Sequence, residues 1–130
     1  MILDDKVRAV LQQPVLARIA LIDANGYPMI IPIWFKLEGD EICFMSDRDT
    51  AKVRLVQANS KGAVTVGGEI GGLAGYTLKG EFSVEETGHY WMEQITRHYE
   101  TKERADQLLT EWANDDVVAL RFTPNKVIKV

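Results

Sequence analysis

Hydroxyls and cations alternate between residues 46 and 54 as Ser46, Arg48, Thr50, Lys52 and Arg54. Such a run suits an anion. Lysine offers a point charge and arginine a forked set of donors, and the free amides opening a helix add a positive dipole end. Thr50 is placed to cap a helix running to Ala58, with Ala51, Leu55 and Ala58 on its apolar side. A capped helix with a basic, solvated face accounts for the same residues equally well, so this segment alone does not decide between the two.

The preceding stretch has to present that segment to something. Met29 to Lys36 reads as a strand with two apolar faces, one carrying Met29, Ile31, Ile33 and Phe35, the other Ile30, Pro32 and Trp34. Both faces then need cover. A barrel interior supplies one, and a helix, a subunit or a ligand supplies the other. Pro32 cannot donate to a ladder, which predicts an edge or an irregular point, with neighbouring main-chain groups left free. The chain turns at Glu38-Gly39-Asp40 and returns as Glu41 to Ser46. An oily wall therefore runs up to a strand-to-helix junction bearing cations, a combination that suits a flat ring with an anionic tail.

The remaining elements frame this pair. Residues 2–13 read as a helix with Leu3, Val7, Val10 and Leu11 on one face, closed by Pro14. Val15 to Asp23 is a strand, followed by an Asn25-Gly26 turn. Ala63 to Val66 is another. The glycine-rich run 67–75 lacks phosphate-loop or dinucleotide spacing and reads as a connection. Tyr76 to Glu85 alternates, with Leu78, Gly80, Phe82 and Val84 inward. Thr87 to Asn114 is helical, with Glu100 to Arg104 marking a break into two helices. Asp116 to Phe122 and Lys126 to Val130 read as two strands around a Thr123-Pro124-Asn125 turn. Many short antiparallel strands with inserted helices predict a mainly β class, a small barrel with added helices.

Bulk properties bound the function. One domain spanning residues 1–130 is expected from the length. A net charge of −4 argues against nucleic acid or an anionic membrane as partner. No secretory signal or membrane-length apolar run is visible, which makes the cytoplasm the expected location. Cys43 is the only cysteine and reads as a buried small hydrophobe. His89 and His98 do not share a helix face at metal-ligand spacing, and no metal site is expected. No nucleophile–histidine–carboxylate set and no carboxylate pair stands out, so no catalytic residue is assigned. Trp91 and Trp112 read as core or interface anchors.

Taken in order, LARIALIDANGYPMIIPIWFKLEGDEICFMS, DRDTAKVRLVQAN, GAVTV, YTLKGEFSV and VVALRFTPNKV resemble the pyridoxamine 5′-phosphate oxidase-like, FMN-binding split-barrel family. The resemblance covers most of the chain and rests on the series rather than on one motif. It implies an antiparallel split β-barrel and a homodimer with two flavins at the subunit interface. It further implies that the main chain of Ile30, Ile31, Pro32 and Ile33 borders the ring, with Met45 and Ser46 nearby. Thr50 and Lys52 would hold the phosphate, assisted by Arg48 or Arg54. The expected cofactor is FMN, with the deazaflavin F420 or haem as alternatives used by related barrels. The expected partner is a small redox substrate. Vitamin B6 oxidases carry an arginine where Ala51 stands here, and end in an aromatic, arginine-rich segment where this chain has Val127-Ile128-Lys129-Val130. The resemblance thus implies an FMN-binding flavoprotein, an oxidoreductase with its substrate unassigned, the alternatives being an F420-dependent reductase on the same fold or a non-catalytic flavin- or haem-binding module.

Overall fold

The computed structural model describes residues 2–130. Helix α1 (Asp5–Leu11) opens on Asp4, whose carboxylate accepts from the Val7 amide at 2.9 Å. Seven strands follow: β1 (Ala17–Ile22), β2 (Pro28–Ile33), β3 (Lys36–Glu38), β4 (Glu41–Asp47), β5 (Lys61–Val66), β6 (Tyr76–Glu85) and β7 (Val117–Lys129). Helix α2 (Ala51–Ala58) lies between β4 and β5, and α3 (Gly88–Tyr99) and α4 (Lys102–Glu111) between β6 and β7. The strands form one antiparallel sheet in the order β2-β1-β5-β6-β7-β4-β3. Its two edges are β2 and β3, neighbours in sequence joined through Trp34 and Phe35. This is a mainly β split barrel whose seam is bridged by two residues.

The expected single strand from Met29 to Lys36 is therefore two strands on opposite edges. Trp34 and Phe35 break it because each finds a better place than a ladder. Phe35 turns fully into the core. Trp34 stacks on Tyr99 with ring centroids 4.5 Å apart and planes within 6°. Tyr99 secures the crossing by accepting from the Phe35 amide at 3.2 Å and donating to the Val15 carbonyl at 2.6 Å. Burial drives its phenol up to about 12, so it stays a protonated donor. Pro32 does lie on an edge strand, as its missing N–H requires.

The second correction concerns β7. The turn expected at Thr123-Pro124-Asn125 is a bulge inside one continuous strand. Lys79 faces Lys126 while Gly80 faces Pro124, leaving Asn125 as the extra residue. The bulge accommodates a proline within the sheet because the ladder is already interrupted there. Gly80 is part of the same device: a Cβ there would sit 2.1 Å from the Thr123 carbonyl oxygen and 2.8 Å from Pro124 Cα. Gly80→Ala should lower stability by about 2 kcal/mol through overpacking against main chain. Urea unfolding at fixed protein concentration measures this, and an unchanged midpoint would show that the bulge yields.

The core fills the barrel with Ile19, Leu21, Phe35, Phe44, Leu78, Phe82 and Phe122, joined by Val7 and Leu11 of α1 and Val53 and Val56 of α2. A smaller cluster of Cys43, Trp91, Ile95 and Ala119 packs α3 onto the outer side of β4 and β7. Burial pushes the Cys43 thiol up to about 12, as befits a packing residue. Arg121 ties this side together, bonding Glu85 at 2.9 Å, Glu38 at 3.0 Å and Glu41 at 3.1 Å. The helical region breaks at Glu100, which turns to extended angles, and Thr101 caps α4 by accepting from the Arg104 amide.

Candidate functional site

The strand-to-helix junction after β4 is a tight, self-bonded turn. Ser46 Oγ donates to the Asp47 carbonyl at 2.9 Å and lies 3.0 Å from Thr50 Oγ1, which itself reaches that carbonyl at 3.1 Å. Ser46 is buried. Thr50 holds the N-cap position of α2 in extended geometry, yet its hydroxyl serves this triangle and makes no cap bond. The amides opening α2 thus lack a side-chain partner, which leaves the positive end of the helix unneutralised.

The three cations of the segment have different fates. Arg48 is committed to carboxylates: its Nε lies 3.0 Å from Asp116 Oδ2 and its Nη1 2.9 Å from Glu86 Oε2. Those hydrogen bonds, Glu86 first, hold its guanidinium above the usual arginine range and draw the Glu86 carboxyl below its own. Arg54 is exposed and pairs with Asp49 at 2.9 Å. Lys52 is half-buried and has no carboxylate within 4 Å among the described residues.

Lys52 faces a cleft of about 350 Å³ formed with Met45, Ser46, Asp47, Trp112 and Asp115. A second, apolar cavity of about 200 Å³ adjoins it, sharing Met45 and Trp112 and adding Ile33, Trp34, Ile95 and Thr96. One end of the combined groove is polar and cationic and the other is aromatic. Asp47 and Asp115 stand at the polar end, but both are exposed, so water screens their repulsion of an anion.

The four β2 residues expected to border the ring, Ile30 to Ile33, divide. Ile31 and Ile33 pack against the core, and Ile33 alone of the four lines the aromatic cavity. Ile30, 63% exposed, and the exposed Pro32 lie on the outer sheet face. Ile30 borders a different depression of about 290 Å³ with Arg18, Ala20 and Ala63. It meets, at Ala20 and Ala63, a larger hollow of about 390 Å³. That hollow includes the small residues Ala20, Gly62, Ala63 and Gly80 and not Lys52, and it reads as an uncovered surface rather than a reaction site. Because β2 is an edge, the main-chain groups on its outer side carry no strand partner.

Trp34, Thr96, Trp112 and Asp115 join the groove without having been assigned to it from sequence. Trp112 gave a signal, an aromatic residue at a helix end, but nothing local separated a groove wall from a core anchor. Neither histidine lines the groove. His89 contacts the Asp115 carbonyl at 2.8 Å.

The sequence profile described as pyridoxamine 5′-phosphate oxidase matches residues 3–130. The chain belongs to the pyridoxamine 5′-phosphate oxidase family. Among solved structures, an F420 reductase is 20% identical at a TM-score of 0.75, covering 95% of this chain and 96% of that one. General stress protein 26 from Bacillus anthracis is 17% identical at a TM-score of 0.74, over 100% and 95% of the two chains. A candidate pyridoxamine 5′-phosphate oxidase from Listeria innocua is 20% identical at a TM-score of 0.72, over 97% and 96%. At these identities the likeness concerns the fold. No curated protein matches significantly. Among the described residues, no helix of this family member is long and apolar enough to cross a membrane.

Proposed function

We propose that this member of the pyridoxamine 5′-phosphate oxidase family is an FMN-binding flavoprotein, a cytoplasmic oxidoreductase acting on a small redox substrate. The observation that carries the reading is the half-buried Lys52, with no carboxylate within 4 Å among the described residues, beside the uncapped start of α2 and opening onto an aromatic groove. Lys52 and the α2 amides would hold the phosphate, with Thr50 and Ser46 fixing the turn that presents them. Met45, Trp34 and Trp112 would hold the ring against the free edge at Ile33. Bound there, a flavin supplies the electron transfer, and the chain supplies position, a dry wall and donors. The donor set favours a flavin over haem, because the groove offers no imidazole to an iron.

The exposed apolar outer face around Ile30, Ala20 and Ala63 supports pairing with a second copy of the chain, which would complete the groove from the other side. F420 is the second reading, motivated by the F420 reductase among the structures that share the fold. Titrating the ligand-free protein with FMN and with F420 separates the two, while sedimentation reports the oligomer. Submicromolar FMN binding by a dimer is the expected result. Failure of FMN to bind, or clearly tighter F420 binding, would overturn the assignment.

A further inference from the structure

At another place in the fold, where α1, β3 and α3 meet, a cleft of about 120 Å³ is lined by Arg8, Gln12, Lys36 and His98 above Leu11 and Leu37. Among the described residues, no carboxylate lines it. Asp40, next to the lining residue Gly39, is already held by Arg8 at 2.7 Å with the same nitrogen that reaches the Gly39 carbonyl. Nε and Nη2 of Arg8 have no protein partner among the described residues. Lys36 and His98 are both half-buried, and neither has a carboxylate within 4 Å among the described residues. Two basic groups crowded together without a counter-ion repel each other, and in a chain of net charge −4 that arrangement is conspicuous.

We propose that this cleft binds a small oxyanion of the sulfate or phosphate class, held between Lys36, the His98 imidazolium and the free N–H groups of Arg8. A tetrahedral dianion answers several donors converging from three elements, whereas a monocarboxylate answers fewer. The groups facing His98 are Lys36 from β3, Arg8 with its partner Asp40 from α1 and the β3–β4 turn, the Gln13 main-chain carbonyl, and Tyr99 beside it on α3. Without an anion, burial first and the Lys36 charge second hold the His98 ring below its ordinary range, against the Gln13 carbonyl. A bound dianion reverses the second effect and favours the protonated ring. Affinity therefore rises as pH falls.

The chain has only two histidines, so proton NMR of their Cε1–H signals tests this directly, with His89 as internal control. Sulfate is the probe, because it stays dianionic throughout, and chloride keeps ionic strength constant. Sulfate should raise the His98 midpoint and leave that of His89 in place, and it should bind tighter at about pH 5.5 than at about pH 8. Lys36→Met should weaken sulfate by about tenfold, the loss of one charge-assisted contact. His98→Gln should abolish the pH dependence while retaining weaker binding. Substituting inorganic phosphate and then glycerol phosphate shows whether the cleft prefers a free ion or the end of an ester, and binding of either supports the site. A His98 midpoint that sulfate leaves unmoved in the unmodified protein would overturn the proposal. So would an equal shift in Lys36→Met.

Discussion

Phe82→Ala should remove about 4 kcal/mol from the unfolding free energy, the largest loss expected of any single substitution considered for this chain. Phe82 is 3% exposed near the middle of β6. Its ring lies 4.7 Å from that of Phe122 and 6.1 Å from that of Phe44, each pair tilted in the manner that suits aromatic quadrupoles. The barrel also makes room for it on purpose. A Cβ at Gly62 would come within 2.7 Å of the Phe82 ring, so the glycine on the neighbouring strand is the space the ring occupies. Removing the ring leaves a cavity whose walls are strands and cannot collapse far. Phe82→Leu, which keeps most of the volume, should cost about 1.5 kcal/mol. Urea unfolding of both variants at one protein concentration, with an unchanged denaturant slope, checks the pair. A loss near 1 kcal/mol for alanine would mean that Phe44 and Phe122 close the gap.

Lys52→Ala should weaken FMN by about 1.5–3 kcal/mol, roughly tenfold to a hundredfold, and leave riboflavin almost untouched. The two ligands share the ring and differ in the phosphate, so the comparison isolates the charge-assisted contact. Arg48→Met supplies the contrast. Arg48 is spent on Glu86 and Asp116, and FMN affinity should stay within about threefold of the parent, the change expected when an exposed ion pair is lost. Flavin fluorescence quenching reads all of these. Equal weakening of FMN and riboflavin by Lys52→Ala would remove Lys52 from the phosphate. A larger effect at Arg48 than at Lys52 would mean that the guanidinium leaves its carboxylates when ligand binds.

Much of the frame was legible before the fold was known because its signals are local. Alternation in Tyr76–Glu85 put Leu78 and Phe82 inside, where both are buried. The missing N–H of Pro32 pointed to an edge or an irregular point, and its strand is an edge. The polar run after Tyr99 separated α3 from α4. Gly26 and Gly39 turn the chain with φ of 84° and 60°, values that side chains resist. The errors share a cause as well. Pro124 looked like a strand terminator, but a bulge opposite Gly80 let β7 continue. Trp34 and Phe35 looked like two more strand residues, but one had a stacking partner on α3 and the other a place in the core.

Residue order was enough to fix the pitch of most elements and the side they turn inward, since these depend on neighbours a few positions away, but not where β2 and β7 stop. It also marked the junction at Ser46 to Lys52 as worth attention. It could not tell Lys52 from Arg48, because the acids that occupy Arg48 lie 38 and 68 residues downstream. Nor could it bring Trp112 to Met45, or Lys36 to His98. Those meetings follow from strand register and from how the helices settle on the sheet, and they depend on the shape of the whole split barrel.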